Sequence, residues 1–70
     1  MTKSKTTRWV KDFDYTRYMV NDFEMGHVIR RGDGTRWVPM YRDRYGAYHR
    51  LPSYTTLQLA KYAVQNALGR

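Results

Sequence analysis

The chain is expected to fold as an α+β domain: a three-stranded antiparallel sheet packed against a C-terminal helix, with a short N-terminal helix or arm ahead of it. Three observations lead there. Strand-like runs at 27–31 and 35–42 flank Gly32-Asp33-Gly34, and Asp-Gly between such runs is a strong hairpin signal. A second glycine turn, Asp43-Arg44-Tyr45-Gly46, leads into a short run at 47–51. Finally, Leu57, Ala60, Val64, Ala67 and Leu68 recur at helical spacing between threonines and Gly69.

Taken in order, residues 1–7 are polar and basic without apolar periodicity, and read as a disordered tail before a single domain over 8–70. Trp9, Val10 and Phe13 open the ordered part. Over 14–24, Tyr15, Tyr18, Met19, Asp22 and Phe23 follow helical spacing, with Asp14 placed to cap and Gly26 to stop a helix. Tyrosine, threonine and valine there also favour strand. The spacing tips the expectation towards helix.

A two-residue first loop sets Ile29 opposite Val38 and Arg30 opposite Trp37. A four-residue second loop sets Tyr41 opposite Tyr48 and Val38 opposite Leu51. Ile29, Val38, Met40 and Leu51 then share one side, which the helix is expected to cover. Arg30, Trp37, Tyr41, Tyr48 and Arg50 share the free side. Pro39 lacks a ladder donor, so a bulge or a break in pairing on one side is expected there. The helix, over about 56–68, has Thr55 and Gln58 as a candidate capping box and Tyr54 and Leu59 as a staple, with Gly69 as its stop.

Seventy residues without a cysteine make a small domain that no disulfide or thiolate metal site can staple. Thirteen basic and six acidic residues give a net charge of +7. The charge is uneven. Residues 1–11 carry +4, residues 12–24 carry −3, and residues 25–70 carry +6. Such a cationic second half attracts polyanions, nucleic acid first and an acidic protein face second. No apolar run approaches a bilayer span and no signal-peptide core follows Met1, so a cytoplasmic location is expected, with no membrane partner.

Arginine and aromatic residues interleave between 30 and 50: Arg30, Arg31, Arg36, Arg42, Arg44 and Arg50 with Trp37, Tyr41, Tyr45 and Tyr48. Guanidinium groups bind phosphates bidentately, and aromatic rings stack on bases. No catalytic constellation accompanies them. Ser4 and Ser53 lie in no nucleophile pattern, and His27 and His49 lack a converging ligand set. Asp12, Asp14, Asp22 and Glu24 read as solvating carboxylates rather than as a metal cluster. No enzyme activity, metal or cofactor is therefore expected.

Asp33-Gly34-Thr35-Arg36-Trp37, Gly46, His49-Arg50-Leu51 and Thr56-Leu57-Gln58-Leu59-Ala60 resemble the three-stranded-sheet-plus-helix DNA-binding domain of tyrosine integrases. The same residues resemble the related plant ethylene-response DNA-binding domains, and the Asp33-Gly34-Thr35-Arg36-Trp37 hairpin before a helix looks like that of short phage-encoded accessory proteins. The resemblance implies a sheet laid in the major groove, with Arg30, Arg36, Trp37 and Arg50 contacting DNA. Pro39, and the whole of 9–25, depart from that pattern.

The function expected is non-catalytic nucleic-acid binding, duplex DNA ahead of RNA. Arg30, Arg31, Arg36, Arg42, Arg44 and Arg50 would hold phosphates, Lys3, Lys5 and Arg8 would serve as an arm, and Trp37, Tyr41 and Tyr48 would stack. The rival expectation is a small phage- or virus-type effector that grips an acidic host protein through the aromatic segment 9–25.

Overall fold

The computed structural model describes residues 6–32 and 34–69. Its elements are β1 (Thr7–Asp12), β2 (Tyr15–Val20), β3 (Phe23–Arg31), β4 (Arg36–Arg42), β5 (Tyr48–Arg50) and α1 (Leu57–Leu68). The strands form one antiparallel meander of five, in sequence order. The expected three-stranded sheet is thus too small by two strands, and no N-terminal helix precedes it among the described residues.

The helical spacing over 14–24 gave way to strand propensity and turn chemistry. Tyr15–Val20 alternates, with Tyr15, Arg17 and Met19 on one face and Thr16, Tyr18 and Val20 on the other. Asn21 and Asp22 then both take positive φ, 52° and 70°, the conformation of a two-residue hairpin turn that twists with its strands. Thr6 and Thr7, expected in the tail, are already held: the Asn21 amide donates to the Thr6 carbonyl at 2.8 Å, and Thr7 pairs with Val20. Residues 1–5, including Lys3 and Lys5, lie outside the described residues.

Helix α1 lies across β3 and β4, on the face opposite the one expected. That face presents Trp9, Tyr18, Gly26, Val28, Trp37, Pro39 and Tyr41, and its centre is Val28 against Ala60 and Val64. Gly26 explains the choice. Expected to stop a helix, it sits mid-strand, where a Cβ would stand 2.6 Å from Val64 Cγ1 and 2.8 Å from the Met40 carbonyl oxygen. Its missing side chain is the notch that Val64 fills. Ile29, Val38 and Met40 are left on the sheet's other face, which α1 does not cover.

The first hairpin keeps the expected register, Ile29 with Val38 and Arg30 with Trp37. The second does not. Asp43 knits a five-residue turn, its Oδ1 accepting the Tyr45 and Ala47 amides at 2.9 Å each, so Tyr41 pairs with His49 and Arg42 with Tyr48. A slip of one residue changes the face of every side chain. Tyr48 therefore leaves Tyr41 and joins Arg42. Pro39 pairs with Val28 without a break, and its carbonyl accepts the Leu51 amide at 2.9 Å. Its missing donor points to the same side, where the β4–β5 ladder has already ended at Met40 and Arg50. The helix is capped one residue later than expected, by Thr56, whose hydroxyl accepts the Leu59 amide at 3.2 Å.

Candidate nucleic-acid interface

The uncovered face is built in rows by strand pairing. Arg17, His27, Met40 and Arg50 form one row, Asp12, Tyr15, Ile29 and Val38 the next, and Arg31 with Arg36 the last. Arg42 and Tyr48 close the other end. Val38 is buried within this face and Ile29 and Met40 are half-buried. An apolar floor therefore lies between arginine rows.

Towards β2 the face is occupied by a polar cluster. His27 is 5 % exposed; its ring stacks on Tyr15 at 4.7 Å between centroids and meets Tyr48 at 5.1 Å. Glu24 Oε2 lies 2.9 Å from His27 Nδ1 and accepts the Tyr48 hydroxyl at 2.8 Å. Arg17 Nε stands 3.6 Å from the other Glu24 oxygen, and its guanidinium also reaches Asp12 at 3.7 Å. Burial, with the Glu24 charge beside them, raises the Tyr15 and Tyr48 hydroxyls above their ordinary pKa. Both stay protonated and able to donate at neutral pH.

Charge on this face is consequently graded. Arg8 pairs with Asp22 at 3.5 Å and Arg17 with Asp12 and Glu24, so the β1–β2 side is neutralised. Among the described residues no ion pair engages Arg31, Arg36, Arg42, Arg44 or Arg50. Arg36 donates to the Ser53 hydroxyl at 3.2 Å, and Arg42 lies 6.0 Å over the Phe23 ring. Arg44 stands in the β4–β5 turn.

The residues expected to act together are thus divided. Arg31, Arg36, Arg42, Tyr48 and Arg50 share the uncovered face, with Arg8 at its far edge. Arg30, Trp37 and Tyr41 lie on the helix side. There Arg30 rests 5.6 Å over the Trp37 ring, Trp37 exchanges two backbone hydrogen bonds of 2.9 Å with Tyr54, and Tyr41 stacks on His49 at 5.1 Å. Trp37 packs against the core. Tyr15, Arg17, Glu24 and His27 were missed as members of the face. Alternation through Tyr15, Arg17 and Met19 would have found the β2 pair once that segment was read as a strand.

These acidic residues have partners: Asp22 with Arg8, Asp12 with Arg17, Glu24 with Arg17, His27 and Tyr48, and Asp43 with His49. The His49 hydrogen bond, followed by the Ala47 amide, holds the Asp43 carboxyl below its ordinary range. Among the described residues no group of three or more His, Asp or Glu side chains could hold a metal ion, and no helix is long and apolar enough to cross a membrane. No protein-family model, curated protein or solved structure matches the chain.

Proposed function

We propose that this chain is a non-catalytic nucleic-acid-binding protein, preferring duplex DNA to RNA, and that it binds through the sheet face opposite α1. The observation that carries the reading is the graded charge of that face. Arg31 stands directly opposite Arg36, with Arg42 and Arg50 on the same face, and among the described residues none of the four has a carboxylate partner. Like charges directly across a ladder are destabilising. The like-charge pairing itself does not favour folding, whereas a row of phosphates would neutralise it with charge-assisted, bidentate hydrogen bonds. The resemblance to integrase-type sheets suggests the same mode, a sheet face in the major groove, which is wide enough for a β-ribbon. Arg36 and Arg50 keep the role which that resemblance implies. Trp37 and Arg30 pass to the helix side. On this reading the protein acts in the cytoplasm.

Methyl NMR on the full chain tests the reading. Adding a blunt duplex at low salt is expected to shift the methyl signals of Ile29, Val38 and Met40 on the uncovered face. Those of Leu57 and Leu68, the ends of α1 that pack against the core, should stay in place. Shifts confined to the helix side would overturn the assignment of the face.

The rival is a grip on an acidic host protein. Phe13 favours it: at the β1–β2 turn it is 90 % exposed, and exposed aromatic residues are enriched in protein interfaces. A duplex that shifts no signal, with shifts around Phe13 on adding an acidic protein, would favour that rival.

A further inference from the structure

At the end of the sheet that holds the β2–β3 and β4–β5 turns, a cleft of about 350 Å³ opens between Phe23, Met25, Arg42, Asp43, Arg44, Tyr45 and Gly46. Its size lies within the range of small-ligand sites. Phe23 is 65 % and Tyr45 86 % exposed, so much of each side chain is open to solvent. Neither packs in the core around Val28 and Val64.

The cleft is cationic as well as aromatic. Arg42 and Arg44 both line it, no ion pair engages either among the described residues, and Arg42 already lies over the Phe23 ring at 6.0 Å. The one carboxylate in the lining is turned inward: Asp43 spends its oxygens on His49 and on the Tyr45 and Ala47 amides. An anion arriving beside Arg42 and Arg44 therefore meets two guanidiniums and a carboxylate already held by hydrogen bonds. Flat rings beside paired guanidiniums suit a ligand with a planar aromatic part and a phosphate one bond system away.

We propose that this cleft takes one unpaired nucleotide, its base stacked against Phe23 and Tyr45 and its phosphate held by Arg42 and Arg44. The inference rests on the nucleic-acid reading above and adds to it a site that a blunt duplex cannot fill. Every base has a stackable face, so the cleft is tolerant of sequence. Arg42 links the two surfaces, since it belongs both to the uncovered face, opposite Tyr48, and to the cleft. A duplex on the sheet would thus carry its single-stranded extension into the cleft.

The experiment compares three probes on the full chain by fluorescence anisotropy at low salt: a blunt duplex, the same duplex with a five-nucleotide overhang, and a free five-nucleotide single strand. The overhang is expected to tighten binding by at least about fivefold, the lower end of one base–aromatic stack. Phe23→Ala and Tyr45→Ala should each abolish that gain and leave blunt-duplex affinity unchanged. Both positions are exposed, so the variants are expected to fold, and circular dichroism checks that they do. If wild type binds the blunt duplex with no overhang gain, or the gain survives both substitutions, the cleft assignment fails and the sheet-face reading stands. If the overhang and single strand bind with dependence on Phe23 and Tyr45 while the blunt duplex does not bind, the cleft stands and the sheet-face reading fails. Binding to no probe overturns both. A phosphotyrosine peptide that binds in a Tyr45-dependent way, where no oligonucleotide does, would overturn the nucleotide in favour of a protein ligand.

Discussion

Arg31 and Arg36 face each other across the β3–β4 hairpin, two guanidiniums on the uncovered side of the sheet that no ion pair engages among the described residues. Such a pair weakens a ladder by roughly 0.2–1 kcal/mol. Arg36→Ala is therefore expected to leave the thermal midpoint unchanged or slightly raised. The same change should weaken duplex binding and flatten its salt dependence by about one unit. A variant that loses stability and keeps its affinity would assign Arg36 to the fold through its Ser53 contact.

Trp37 makes the opposite prediction. It packs against the core from the helix side and is held to Tyr54 along the backbone. Trp37→Ala should cost about 3 kcal/mol or more of stability, read by urea unfolding. At temperatures where the variant remains folded, duplex affinity should change little. A stable variant that binds poorly would return Trp37 to the role of a stacking platform.

Gly26 tests the seat of the helix. Gly26→Ala places a methyl group against Val64 and against the Met40 carbonyl, which belongs to the backbone and cannot swing aside. Overpacking of this kind typically costs about 1–3 kcal/mol. Pairing it with Val64→Ala should recover part of the loss relative to the sum of the two single changes, because the two substitutions meet. Strict additivity in a double-mutant cycle would mean that α1 does not press on Gly26.

Tyr15 and Tyr48 give a pH signature. Their hydroxyls are raised above the ordinary 10.0, by burial first and then by Glu24, which takes the Tyr48 proton in a hydrogen bond. A folded pKa above the unfolded one means the stabilisation is complete below 10.0 and is lost as pH rises through the raised values. Carbon-13 NMR of the tyrosine rings should show these two titrating above their ordinary value, and Glu24→Gln should return Tyr15 only partly, because burial is the larger cause. Two ordinary titrations would mean that the Glu24 cluster does not form.

How legible the chain was depended on whether a signal was local. The Asp-Gly hairpin and the apolar stripe of α1 are written within a few residues each, and both elements stand where they were expected, the helix cap aside. Residues 14–24 carry two periodicities at once, and only the Asn21-Asp22 turn, with both φ positive, decides for strands. The covered face was not legible from side-chain polarity, because Trp37, Tyr41 and Arg30 are long enough to pack beside a helix while Ile29 and Val38 can sit under arginines. It was decided by a side chain that is missing, at Gly26. The arginine-rich composition of 30–50 was plain in the sequence. Its division between two faces follows from alternation along β3 and β4, and only Tyr48 and Arg50 were parted from Tyr41 through a one-residue difference in the turn that Asp43 organises.

The central claim, that the arginine rows of the uncovered face bind a polyphosphate backbone, is tested most directly by the salt dependence of duplex binding. With phosphates neutralised by Arg31, Arg36, Arg42 and Arg50, log Kobs against log salt should fall with a slope near −3.6. Replacing Arg31 and Arg36 together by alanine should flatten that slope by about two units. Binding that ignores salt, or no binding even at low salt, would contradict the account.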